Sequence, residues 1–591
     1  MLRHLKEFLR QRVPRYVTGM IFLLLVDVLQ LVTPQILKYV TNSLIAEDFT
    51  ELNLSKAALL ILLVGLSIGI CRYVWRACIV YVAADLDSWM RNKFFRHLLK
   101  MPQSFYQEHK TGDLMAHATN DIGTIRRTFS GGFIMSVDAI FLTVSTIIVM
   151  GSTISWKMTF LALIPLPFIA LIAAIMGKQV HHKFRSVQEG FSLLSDKVQE
   201  SFSGIEVIKS FAQEEENLQD FNYHNEDNLN RHLNLVKTHL ALNTLVNLVG
   251  SLSMILGMGL GGWFVAQKLI TLGDLVAFLQ YLETLLWPMR AFGMLNNMIQ
   301  RGAASIDRLN LILDTPSDLH DTGESQAIAG MDIAIRDLTF TYPNEDLPAL
   351  RDINLDIPAG STLGIIGHTG SGKSSLISLL SRLYNIPRGS ITIGGVDIND
   401  ISIHDTRELV GSVPQDIFLF SSKIKSNIAF VDREPDDEKV VATAKAAQLH
   451  QEIMGFPDAY DTHLGERGVN LSGGQKQRTA IARLLYKDSP IMIFDDSLSA
   501  VDTQTESEIL KYMRSNEKGH TTIIISHRVS SIYDADQIIV LENGAIAEEG
   551  NHQQLLAQDG IYAHLYHKQQ LEEKIKQHKC SDGQQICGEE A

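Results

Sequence analysis

Cysteine is scarce, with four in 591 residues. Cys71 and Cys78 fall in one apolar stretch and Cys580 and Cys587 in a polar tail, too few and too scattered for a disulfide framework, so all four read as thiols. Even with His578 beside them, the tail cysteines lack a fourth ligand and the tight spacing of a metal site. An excess of basic charge is also missing: 52 Lys and Arg stand against 66 Asp and Glu, a net charge of -14. Without a basic footprint, nucleic acid is not an expected partner. Long apolar runs are absent from the second half and crowded into the first. That asymmetry, in a chain longer than the roughly 250 to 300 residues at which single cores stop growing, requires at least two domains.

Crossing a bilayer takes roughly 20 mainly apolar residues. Six such runs are present, near residues 16–40, 55–82, 133–154, 158–177, 240–266 and 272–294. The basic start (Arg3, Lys6, Arg10, Arg12, Arg15) followed by an apolar run is too long for a cleaved signal peptide and has no small-residue cleavage site behind it. Between the second and third runs lie Arg91, Lys93, Arg96, Lys100, Lys110, Arg126 and Arg127, whereas the first loop carries Glu47, Asp48 and Glu51. The positive-inside rule then puts both termini in the cytoplasm. The two basic connections are helical in pattern, so helices two to five are expected to extend well beyond the bilayer. Pro34, Pro165, Pro167 and Pro288 interrupt apolar runs and predict kinks. Asp27, Arg72, Arg76, Asp138 and Glu283 are costly in lipid and are expected to face protein or a wet cavity. Trp75, Phe141, Trp263, Phe278 and Trp287 are aromatic candidates for contact with an amphiphilic cargo.

The expected organisation is a six-helix, all-α transmembrane domain over 1–313, a turn-rich linker over 314–330, an α/β domain over 331–570 and a polar, disordered tail over 571–591. In the α/β part, Gly367-His368-Thr369-Gly370-Ser371-Gly372-Lys373-Ser374 matches the P-loop pattern, and Ser375 opens the following helix. The apolar run Leu363 to Ile366 predicts a strand before it, so helix-start N–H groups cradle phosphates, Lys373 neutralises the β- and γ-phosphates and the Ser374 hydroxyl binds Mg²⁺. Downstream, Ile491 to Phe494 predicts a buried strand ending in Asp495, a metal-binding carboxylate, and Asp496. The strand Thr521–Ile525 is followed by Ser526 and His527, which puts an imidazole at the same sheet edge as a γ-phosphate sensor.

Between these motifs stands Leu471-Ser472-Gly473-Gly474-Gln475, opening an amphipathic helix. With it the chain resembles the ATP-binding cassette (ABC) exporters, P-loop ATPases fused behind a six-span membrane domain. The resemblance implies ATP and Mg²⁺ as cofactors. It implies that Tyr342 stacks on adenine, that Gln415 approaches Mg²⁺ and that Asp502 lies in the D-loop. Glu466 in Leu464-Gly465-Glu466-Arg467-Gly468 is similar to a short exporter motif before the signature. Thr111 to Met115 and Ser203 to Phe211 are similar to the two turns that couple cassette motion to the membrane helices. Ser472 and its glycine amides then form an anion site too far along the fold to reach their own P-loop, and serve a facing subunit.

One departure stands out. Where the family has Asp-Glu, this chain has Asp495-Asp496, which withdraws the water-polarising carboxylate by about 1.5 Å, one C–C bond. Displacements near 1 Å at a reacting centre cost roughly a hundredfold in rate, so this site is expected to bind ATP and turn it over slowly. An intact signature beside a slow site suggests a heterodimer, whose other chain is a similar half-transporter with Glu at that position. Among family members the resemblance is nearest to bacterial multidrug exporter halves, which implies a multi-pass protein of the bacterial plasma membrane exporting amphiphilic small molecules. Lipid flipping or peptide export on the same fold, and an ATP-binding regulatory subunit, are the alternatives.

Overall fold

The computed structural model describes residues 6–46, 51–319, 321, 328, 330–343, 345–499, 501–515 and 519–581. The chain divides into two compact units: Met1–Leu99 with Lys110–Thr315, and Lys100–His109 with Pro316–Ala591.

Among the described residues the first unit is built of helices, with no strand. Its long elements are α1 (Lys6–Ile45), α2 (Glu51–Leu98), α4 (Phe133–Met150), α5 (Trp156–Leu163), α6 (Leu166–Ser203), α8 (Glu214–Ala266) and α9 (Leu272–Leu313), with the short α7 (Ile205–Ser210) between α6 and α8. Among the described residues, four helical stretches are long and apolar enough to cross a membrane: Phe8–Ile45, Ser55–Leu98, Thr111–Ile169 and Glu214–Ala266. The third of these takes in the start of the expected fourth run, and the expected sixth lies on α9, whose apolar face is broken by Gln280 and Glu283. At 1.5 Å per residue the 53 residues of α8 reach about 80 Å, far beyond the roughly 30 Å hydrocarbon core, as the helical pattern of the connections predicted.

Proline acts differently at different places. Pro165 caps α6 and Pro167 sits in its first turn, where no intrahelical N–H is needed, so α5 and α6 are separated only at Ile164 and Pro165, both of which keep right-handed helical backbone. Pro34 and Pro288 lie inside continuous helices. The core of this unit gathers Met150, Met158, Ala162, Phe278, Tyr281 and Leu285, all at or near zero exposure. Polar ties fix α1 to α9: the Tyr281 hydroxyl donates to the Leu31 carbonyl at 2.8 Å, and Lys38 pairs with Asp274 at 2.6 Å.

The second unit holds two sheets. One is antiparallel, in the order β2-β1-β4-β5, from β1 (Ile333–Phe340), β2 (Leu350–Ile357), β4 (Ile391–Ile393) and β5 (Val396–Asp397). The other is six-stranded, β10-β9-β3-β8-β7-β6, from β3 (Thr362–Gly367), β6 (Val410–Val413), β7 (Ile491–Asp495), β8 (Thr521–Ile525), β9 (Gln537–Glu542) and β10 (Ala545–Gly550). All its neighbours run parallel except β9 and β10. The unbroken apolar runs have a direct cause, because successive residues feed opposite cores. Met492 and Phe494 enter one hydrophobic cluster while Ile491 and Ile493 enter the other; Ile524 and Ile523, and Val540 and Ile539, divide the same way.

The last helix, α15 (Ile561–Ser581), runs across the expected domain boundary at 570, and residues 582–591 of the expected tail lie outside the described ones. The segment that groups with the second unit is Lys100–His109, with the short helix α3 (Gln103–Glu108), immediately ahead of the expected coupling turn at Thr111–Met115. There the Ser317 hydroxyl donates to the Lys100 carbonyl at 2.9 Å. Much of the expected linker over 314–330 lies outside the described residues.

Candidate nucleotide site

Parallel strands β3, β8, β7 and β6 all end at one edge of the sheet, and the chain segment leaving each of these four carries a candidate residue. This is the edge at which open α/β sheets bind ligands. After β3 the loop from Gly367 to Gly372 turns into α10 (Lys373–Leu380). Two glycines are required there. A Cβ on Gly367 would collide with the Leu541 carbonyl, and Gly372 has φ +99 with its would-be Cβ 2.7 Å from the Ala349 carbonyl. His368, Thr369 and Gly370 form the crown of the loop, closed by the Ser371 N–H donating to the His368 carbonyl at 3.2 Å.

Lys373 is 7% exposed, and its ammonium donates to the carbonyls of Gly367 and His368, both at 2.8 Å. Burial lowers its pKa from the ordinary lysine value, while the charges of Asp495 and Asp496 act in the opposite direction. Asp495, the last residue of β7, is 6% exposed and hydrogen-bonded to the Ser374 hydroxyl. Burial raises its carboxyl and the Asp496 charge adds to that, against the pull of Ser374, Lys373 and His527. A hydroxyl and a carboxylate meeting beside a lysine cradled by loop carbonyls are the donor set that a magnesium-bound triphosphate takes. Ser374 and Asp495 would hold the metal, and Lys373 the terminal phosphates. Ser375 accepts a 2.8 Å hydrogen bond from the Tyr342 hydroxyl, and the Tyr342 ring stands edge-on to Phe340 and Tyr384.

Asp496 has left-handed backbone, φ +46, with its N–H bound to the Ile525 carbonyl at 3.0 Å. Aspartate and asparagine tolerate that region better than longer side chains do, a backbone argument that side-chain length alone does not contain. Gln415 is exposed two residues past β6, and His527 is exposed two residues past β8.

The signature segment is built separately, after α11 (Ile403–Leu409) and α12 (Asp437–Ala446) in the chain. Ser472 caps α13 (Gly473–Lys487): its hydroxyl accepts from the Gln475 N–H at 3.3 Å while the Gln475 side chain accepts from the Ser472 N–H at 2.9 Å. Leu471 anchors the turn at 8% exposure and Ser472 stays exposed, with Gly473 and Gly474 in the first turn. No hydrogen bond joins Leu471–Gln475 to Gly367–Ser375 among the described residues. Asp502 accepts from the Thr505 N–H at 2.9 Å and caps α14 (Thr503–Ser515); backbone hydrogen bonding holds its carboxyl below the ordinary range. Glu466 opens a single helical turn ahead of the signature.

A network missing from the motif reading joins these parts. Arg528, next to His527, donates to the carbonyls of Ser499 at 2.8 Å and Val501 at 3.3 Å and to Glu506 at 3.3 Å. Glu506, 3% exposed, also accepts from Ser531, whose hydroxyl is bound to that of Ser526 at 3.0 Å. Gln477 of α13 reaches the Ser499 hydroxyl at 3.2 Å. From α15, the Gln569 amide donates to the His527 carbonyl at 2.7 Å and accepts from the Val529 N–H at 2.8 Å. The sequence signal was faint: an arginine directly after His527 and a glutamate on the apolar side of an amphipathic helix.

Fold and site together define a phosphate-binding ATPase cassette on the same chain as a bundle of membrane helices. Residues 16–289 match the ABC transporter transmembrane region and 350–499 the ABC transporter family. The chain is 38% identical over 96% of its length, and 98% of the relative's, to the probable multidrug resistance ABC transporter ATP-binding/permease protein YheI of Bacillus subtilis. It is 34% identical to the multidrug resistance-like ATP-binding protein MdlA of Escherichia coli, over 96% of each chain. It is 31% identical to an ATP-dependent lipid A-core flippase of Syntrophus aciditrophicus, over 97% of this chain and 95% of that one. A solved bacterial Atm1-family ABC exporter with ATP bound superposes with a TM-score of 0.79 at 27% identity, covering 95% of this chain and 99% of the other. The chain belongs to the ABC transporter family, as an exporter-type membrane domain fused to its ATPase. It is an integral membrane protein that binds nucleotide and couples ATP hydrolysis to export.

Proposed function

We propose that this chain is one half of a heterodimeric exporter of amphiphilic compounds, with ATP and Mg²⁺ bound between its cassette and that of a different partner carrying Glu where this chain has Asp496. It lies in the bacterial plasma membrane with both termini cytoplasmic. Lys373 and the loop Gly367–Ser375 hold the phosphates, Tyr342 meets the adenine, and Ser374, Asp495 and Gln415 hold the metal. Asp496 and His527 face the attacking water and the γ-phosphate, and Leu471–Gln475 with Asp502 complete the partner's site.

The observation that carries this reading is the pairing of a complete phosphate cradle with the short Asp496 carboxylate, beside a fully capped signature helix. Binding and signature functions are intact in form, and only the reach of the water-polarising group is reduced. In the assembled transporter, Asp496→Asn is expected to leave most ATP turnover in place, whereas Ser472→Ala lowers it severalfold. The reverse pattern would reject the asymmetry.

The flippase relative gives a lipid cargo a specific footing. Fluorescent-dye efflux from cells and translocation of headgroup-labelled lipid in vesicles separate the two: efflux without lipid movement supports drug export.

A further inference from the structure

Asp27 lies in the middle of the apolar stretch of α1 and is fully buried, 0% exposed. No N–H or O–H donor among the described residues reaches either of its carboxyl oxygens. The group its side chain faces is another carboxyl, Asp138 of α4, close enough that each acts on the other's ionisation. Two carboxylates are acceptors only, so a hydrogen bond between them exists only when one of them carries a proton.

The neighbouring charges lead to the same count. Arg72 of α2 acts on Asp138. From α9, the third helix packed on α1, Tyr281 has its hydroxyl bound to the Leu31 carbonyl and the Gln35 amide, and Asp274 is paired with Lys38. Arg72 balances one negative charge. With both aspartates ionised, the group would carry an uncompensated charge inside the membrane, where charges are costly; with one proton it is neutral overall.

We propose that Asp27 and Asp138 form a proton-binding site in the membrane half, holding a single proton shared between the two carboxyls, with the remaining negative charge matched by Arg72. The proton belongs to the contact between α1 and α4. Any rearrangement that parts these helices breaks the shared hydrogen bond, leaves two competing acceptors and frees the proton for exchange. The site depends neither on the cargo nor on the identity of a partner subunit.

The test uses the full chain, purified with any subunit that accompanies it, in lipid nanodiscs. Infrared spectra at neutral pH are expected to show a protonated-carboxyl C=O band that shifts on ¹³C-aspartate labelling and is lost in Asp27→Asn. Thermal melting supplies a second readout. The wild type is expected to lose melting temperature as alkaline pH removes the proton, while Asp27→Asn, whose amide donates the same bond with no proton to lose, stays level over that range. Absence of the labelled band from wild-type protein, or its persistence in Asp27→Asn, overturns the proposal. So does an Asp27→Asn melting profile that follows wild type. Should Asp27→Asn fail to fold, the wild-type labelled band decides the question alone.

Discussion

At position 496 a single methylene and a backbone angle act together. The carboxylate is one C–C bond shorter than the family's glutamate, and the left-handed backbone suits aspartate. Asp496→Glu is therefore expected to raise single-turnover hydrolysis at this chain's own site by about tenfold to a hundredfold, the scale of a ~1 Å realignment, measured with the partner's site blocked. Glu506 offers a test of a different kind. Burial is the largest influence on its carboxyl and raises it above its ordinary 4.5, against the pull of Ser531 and Arg528. The folded chain thus holds this proton to higher pH than the unfolded chain does. The associated stability is present below the unfolded value and is lost as pH rises through the folded one. Glu506→Gln is expected to flatten the fall in melting temperature above pH 4.5, and an unchanged profile would show that Glu506 contributes nothing to it. The P-loop, Asp495 and the Ser472 cap were legible because their residues are consecutive or follow a strand of obvious pattern. Arg528, Glu506 and Gln569 were not, because their partners lie 22 to 42 positions away in sequence and only folding brings them together.

Among the elements, the strands of the larger sheet were the most readable, since β3, β7 and β8 are continuous apolar runs that must be buried on both faces. The C-terminal helix was the least. Its composition is mostly polar, and only its start is tied down: α15 packs through Tyr562 and Ala563, both 0% exposed, and clamps the backbone around His527 through Gln569. Gln569→Ala removes two hydrogen bonds, each worth about 0.5 to 1.5 kcal/mol net, and is expected to lower kcat for ATP more than it raises KM, with Gln569→Glu restoring only the accepting half. Equal loss in both constants would point to general unfolding.

For the molecule as a whole, the division into a helical membrane unit and an α/β cassette was plain from where the apolar residues lie. The six expected crossings were read from hydropathy, while the short separation of α5 from α6 at Pro165 and the grouping of Lys100–His109 with the cassette depend on packing that hydropathy does not encode. Ser472 and Gly473 are exposed at the start of α13, and the segment Leu471–Gln475 makes no hydrogen bond to the phosphate loop among the described residues, as the proposed sharing of sites between two subunits requires. The most direct measurement is steady-state ATP turnover by the purified chain, alone and after addition of the half-transporter that copurifies with it from native membranes. Slow turnover alone and a large gain on adding the partner are expected. Full-speed hydrolysis by a lone monomer would contradict a nucleotide site shared between two subunits.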